Sequence, residues 1–158
     1  MEKFDNEKGR RVWQRVNGAA PPVRQETKPQ GRNYAQLAAR ELTDAALYQR
    51  LARVLPGPEG AVVQALYKQE QAHGTVLRGI CVLESGTAPK LAPEVPEEAS
   101  AEVLLRRCWG RKQQAIAAYD QLAGDSVYGH IFTRLKTQEQ EQCVRILELL
   151  SRLADRKK

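Results

Sequence analysis

The chain has 158 residues, 42% apolar and 28% charged, and a formal net charge of +6. That length suits one soluble globular domain with a sound core, and no apolar run is long enough to span a bilayer. The positive excess sits at the ends: residues 1–32 carry eight basic and four acidic side chains, residues 152–158 four and one, and the rest thirteen and fourteen. A nearly neutral body with solvated basic tails predicts no nucleic-acid partner and no membrane partner. Residues 1–15 lack the apolar middle of a signal peptide, so a cytoplasmic location is expected.

Residues 1–32 read as an N-terminal arm with one short helix over about Asn6 to Val16, which sets Val12, Trp13 and Val16 on one side. Pro21, Pro22, Pro29 and Gly31 separate it from the body. Four long segments of helical period then follow. The first, about 33–54, lines up Tyr34, Leu37, Ala38, Glu41, Ala45, Tyr48 and Ala52. Pro56-Gly57-Pro58 breaks it from the second, about 59–84, with Val62, Leu66, Glu70, His73, Leu77 and Ile80. An extended link over Gly86 to Pro96 leads to the third, about 98–122, with Leu105, Cys108, Lys112, Ile116, Tyr119 and Leu122. The fourth, about 126–154, carries Phe132, Leu135, Glu139, Gln142, Ile146, Leu149 and Leu153. Ser100 is the expected cap of the third helix, and Asp125 or Ser126 that of the fourth. Short link, long link, short link predicts an all-α four-helix bundle over 33–158, two antiparallel hairpins joined by a crossover.

Polar residues on these apolar stripes are the informative ones. Glu70 and His73, three residues apart, share one helix face. On a buried face an ionised carboxylate needs a partner such as a metal. The two halves of the chain repeat: Glu41…Tyr48 lies on Lys112…Tyr119, and Gln69-Glu70-Gln71-Ala72-His73 on Gln138-Glu139-Gln140-Glu141-Gln142. Helices of similar length joined by short turns return to the same level, so Glu41, Glu70, His73, Lys112, Glu139 and Gln142 should converge. Cys81, Cys108 and Cys143 are isolated and fall on core faces, which predicts buried reduced thiols rather than a paired-Cys metal centre. Trp109 is expected to be a packing residue and His130 to lie on the surface.

On Glu41, Tyr48, Glu70 and His73, the stretch 33–154 resembles the ferritin-like superfamily and its rubrerythrin branch in particular. Those proteins hold two irons with a Glu on each of two helices and a Glu-x-x-His on each of the others. The resemblance implies a ferritin-like bundle and a metal centre at Glu41, Glu70, His73 and Glu139, with iron, manganese or zinc as the ion. It also implies oxygen or peroxide as the substrate at iron and an external electron donor, since the chain has no paired-Cys electron-transfer motif. A homodimer is a further expectation. The second half departs from the pattern. Lys112 stands where the family has Glu, and Gln142, a weak ligand, stands where it has His. A lysine brings its own positive charge into the space of a cation and can neutralise Glu41, Glu70 or Glu139. Three readings stay open: a degenerate site holding one metal, a two-metal site, and a metal-free bundle with a Glu/His/Lys polar core that serves as an interaction module.

Overall fold

The computed structural model describes residues 33–94, 97–124 and 127–156. The expected N-terminal helix, with Trp13, and the proposed caps Asp125 and Ser126 lie outside these residues. Four helices make up the described chain: α1 Tyr34–Val54, α2 Gly57–Ser85, α3 Ala101–Leu122 and α4 Gly129–Asp155. No strand occurs among the described residues, and none of their helices is long and apolar enough to cross a membrane.

Local chemistry explains the boundaries. The Asn33 side chain accepts from the Gln36 amide and starts α1. At α2, Gly57 takes a positive φ of 63° and Pro58 sits in the first turn, where its missing N–H costs nothing. Gly86 closes α2 in the left-handed conformation, its N–H donating to Val82. The Ser100 hydroxyl accepts from the Val103 amide and opens α3, as its position suggested. Helix α4 begins later than expected, at Gly129, with Tyr128 at the cap position and no side-chain cap bond. Both short turns need a glycine against the end of the preceding helix. A Cβ on Gly60 would come within 2.3 Å of the Leu55 carbonyl oxygen, and one on Gly129 within 2.5 Å of that of Ala123.

Two apolar clusters show how the helices run. Leu51 and Leu55 of α1, Val63 and Leu66 of α2, Leu104 and Leu105 of α3, and Ile146 and Leu149 of α4 fill one end. Tyr34 and Ala38, Leu77 and Ile80, Ala115 and Tyr119, and Phe132 and Leu135 fill the other. The end of α1 thus meets the start of α2, and the start of α3 meets the end of α4, so the chain forms two antiparallel hairpins. Helix α2 finishes at the end opposite to where α3 begins. The connection from α2 to α3 must therefore cover about 43 Å, at 1.5 Å per residue of α2, a distance within reach of fifteen residues at about 3.3 Å each. The link is held to α1 where the Glu94 amide donates to Thr43 Oγ1 at 3.1 Å and Arg50 pairs with Glu98 at 2.7 Å.

Between the two apolar plugs lies a polar layer. Glu41, Asp44, Glu70, His73, Lys112, Glu139 and Gln142 are all buried there. The apolar burial at each end makes the layer affordable, because burying so many charges is favourable only if they partner one another.

Candidate metal centre

Each helix contributes to the layer at its middle. Helix α1 supplies Glu41 and Asp44, α2 supplies Glu70 and His73, α3 supplies Arg111 and Lys112, and α4 supplies Gln138, Glu139 and Gln142. The residues expected to converge do so, and Asp44, Arg111 and Gln138 join them.

Lys112 is the centre of one half. Its Nζ lies 2.7 Å from Glu70 Oε2, 2.8 Å from Asp44 Oδ2 and 2.8 Å from Glu139 Oε2, with no exposure to solvent. Three carboxylates at those distances match the three donors of an ammonium. The ammonium is also 6.0 Å from the centroid of the Tyr48 ring. Burial alone would lower its pKa, but Glu70, Asp44, Glu41 and Glu139 together push it well above the usual lysine range. Lys112 is therefore a permanent cation here. Asp44 has a second partner in the half-buried Arg111, whose Nε donates to Oδ1 and whose Nη2 donates to the Arg40 carbonyl at 3.3 Å. Lys112 pairs with Glu70 and Glu139, as its charge suggested, and reaches Asp44 rather than Glu41.

The other half surrounds His73. Its Nδ1 lies 3.0 Å from Glu139 Oε1 and 3.4 Å from Glu41 Oε2. Its Nε2 lies 2.9 Å from Gln138 Oε1. Neither carboxylate is aligned for a hydrogen bond to the ring. Glu41 Oε2, Glu70 Oε1, His73 Nδ1 and Glu139 Oε1 are all buried without a hydrogen-bond partner. One ligand atom from each of these four residues can be chosen so that all lie within 4.8 Å of one another.

The tyrosines close the layer from either side. Tyr119 donates to Glu41 Oε1, and Tyr48 donates to Gln142 Oε1 at 3.1 Å. Their places in the repeat are equivalent, yet their partners are not. Strict symmetry would send Tyr119 to His73, whose ring nitrogens already face Gln138 and the two carboxylates. Burial raises both phenols well above their ordinary range, so both remain neutral donors.

Burial opposes charge on Glu41, but Lys112 and the His73 and Glu70 contacts outweigh it and hold this carboxyl well below the usual range. Glu70 moves the other way: burial, reinforced by the Glu41 and Glu139 charges, raises it despite Lys112. Burial would lower His73, but the contacts to Glu139 and Glu41 carry its pKa up to about 9. In the metal-free protein His73 thus binds a proton more tightly folded than unfolded. Its contribution to stability is complete below about pH 6.5 and is lost as the pH rises through about 9. Thermal unfolding in chelator should show Tm falling across that window, and His73→Gln should flatten the fall. An equal slope in the variant would contradict the assignment.

The residual sequence expectations divide. Cys81, Cys108 and Cys143 are buried free thiols, and burial pushes Cys108 up to about 12. His130 is exposed. Trp109 is not an interior residue, being 38% exposed one position past the core-facing Cys108.

No protein-family model and no curated protein matches the chain. Among solved structures it is similar to the dodecameric thioferritin of Bacteroides fragilis, the bacterioferritin-related protein of that organism. The two are 19% identical with a TM-score of 0.64, over 78% of this chain and 85% of the other. The fold is ferritin-like. At that identity the likeness fixes the architecture, and the site is argued from its own residues.

Those residues do not fit a two-metal centre. Lys112 Nζ occupies the space among Glu70, Asp44 and Glu139, within 2.8 Å of an oxygen of each, and a second cation there would face a fixed positive charge. One cation does fit. Three carboxylate oxygens and one imidazole nitrogen, buried and without a hydrogen bond, are a donor set suited to iron, manganese or zinc.

Proposed function

We propose that this ferritin-like bundle is a single-metal protein in which Lys112 takes the place of the second ion. The observation that carries the reading is the set of four orphaned buried atoms on Glu41, Glu70, His73 and Glu139. A buried polar atom left without a hydrogen bond costs of order 1–3 kcal/mol, and one divalent cation would engage all four in place of the His73 ion pairs. The proposed centre keeps the half of the rubrerythrin-like pattern that runs through Glu41, Glu70 and His73.

The roles of the chain's own groups follow from their contacts. Glu41, Glu70 and Glu139 would bind through the oxygens that Tyr119 and Lys112 leave free. Gln138 accepts from His73 Nε2 and so turns Nδ1 toward the carboxylates, as outer partners of metal-binding histidines commonly do. Lys112 offsets the surplus negative charge, and the apolar plugs exclude water from the layer. Iron held there would supply electrons to oxygen or peroxide, replenished by a donor outside this chain.

A second reading is supported by the charge on His73. With His73 protonated, Glu41, Asp44, Glu70 and Glu139 face Lys112, Arg111 and an imidazolium, and a proton on Glu70 completes the balance. Such a network needs no metal, and the bundle would then serve as an interaction module.

Thermal unfolding separates the two. Under the single-metal reading, manganese or zinc at about 100 times Kd should stabilise the protein by about 2.7 kcal/mol. His73→Ala should abolish that gain and Gln142→Ala should leave it. No gain in the parent protein would favour the metal-free network.

A further inference from the structure

Beside the polar layer, and sharing His73 and Gln138 with it, a cavity of about 250 Å³ opens between α2 and α4. Gln69, Ala72, His73 and Val76 line it from α2, and Arg134, Leu135 and Gln138 from α4. The volume equals about eight waters at about 30 Å³ each, below the range of drug-sized pockets and right for a small organic molecule.

The lining has a definite chemistry. Ala72, Val76 and Leu135 give it an apolar wall. Arg134 is its one charged residue apart from the histidine, and no carboxylate lines it. Arg134 has no hydrogen bond or ion pair among the described residues. Gln69 and Gln138 occupy equivalent positions in the two halves of the chain. Gln138 Oε1 is engaged by His73 Nε2, while the amide nitrogens of both glutamines have no partner among the described residues. The cavity therefore brings an arginine and two glutamines together beside a short apolar wall. Arginine recognises carboxylates in a planar, two-pronged way. A metal cation would be repelled at this mouth, and an inorganic oxyanion would leave the apolar wall unused.

We infer that this cavity is a binding site for a small monocarboxylate with a short apolar body. Its carboxylate would meet Arg134 and the Gln69 and Gln138 amides, and its carbon body would lie on Val76 and Leu135. The site does not require a cation in the polar layer, so it stands or falls separately from the single-metal reading.

Titrations of the full chain in chelator, followed by side-chain ¹⁵N NMR, test it with benzoate, butyrate and phosphate as probes. Benzoate and butyrate should give saturable shifts of the Gln69, Gln138 and Arg134 side-chain signals. Arg134→Leu, an exposed position, should weaken benzoate roughly tenfold or more, as expected for a lost charge-assisted bond. Val76→Trp should abolish binding by filling the cavity while leaving Arg134 in place. Absent shifts, phosphate binding as tightly as benzoate, or variants that bind like the parent would each overturn the inference.

Discussion

Replacing Lys112 by Met should destabilise the metal-free protein by roughly 3–5 kcal/mol, the scale seen when one partner of a buried ion pair is removed. The cause is specific. Glu70, Asp44 and Glu139 each lose a contact of 2.7–2.8 Å; Asp44 keeps Arg111 and Glu139 keeps His73, which leaves Glu70 with no cation in contact. Methionine matches the lysine stem in length, so the effect is one of charge rather than volume. The orphaned carboxyls can relieve their repulsion by taking up protons, which raises their folded pKa above the unfolded value. Stability of the variant should therefore recover as the pH falls toward and below 5, opposite to the trend of an ordinary acid-sensitive protein. An added divalent cation should also restore it by entering the vacated space. Chemical unfolding in chelator and in manganese measures both. A variant as stable as the parent in chelator at neutral pH would show that Lys112 does not hold the layer together.

The second large effect is expected from Lys112→Glu combined with Gln142→His. The first change removes the resident ammonium and adds a carboxylate; the second supplies an imidazole next to the Tyr48 hydroxyl that now bonds Gln142. Together they restore the ligand types at the two positions where the repeat departs from a symmetric set. Without metal this variant should be less stable than Lys112→Met, since it adds a further negative charge to an already crowded layer. With manganese or zinc it should hold two ions per chain and regain its stability. The two single changes should not do this: Gln142→His leaves the ammonium in place, and Lys112→Glu lacks the second imidazole. A double variant that folds and holds no more metal than the parent would mean that Asp44 and Arg111 have reshaped that half beyond repair.

Much of this was legible in the sequence because the relevant pattern is periodic. Glu41, Glu70, His73, Lys112, Glu139 and Gln142 fall on apolar stripes, and the internal repeat sets them at one level; the fold brings all six into the buried layer. The crossover followed from the position of its prolines. Asp44 escaped notice for a physical reason. It is three residues from Glu41, at the margin of the α1 stripe, and a charged residue beside Ala45 reads as the start of the solvent face. The usable signal was the Glu41-x-x-Asp44 spacing, opposite the adjacent cations Arg111 and Lys112. Gln138 was hidden likewise: in the Gln-Glu-Gln run it precedes the ligand position, and its role depends on which edge of His73 faces α4. Trp109 misled because its size suggests burial, while its place on α3 turns it partly outward. Periodicity assigns a face; it does not tell which polar side chains on neighbouring helices will pair.

The layer has room for one metal because Lys112 already fills the other place. Metal content per folded chain tests it most directly, by elemental analysis and native mass spectrometry after anaerobic loading with ferrous iron, manganese and zinc in turn. One ion per chain, lost in His73→Ala and kept in Gln142→Ala, is the predicted result. Two ions would contradict the role given to Lys112, and none would leave the charge-balanced network as the whole purpose of the layer.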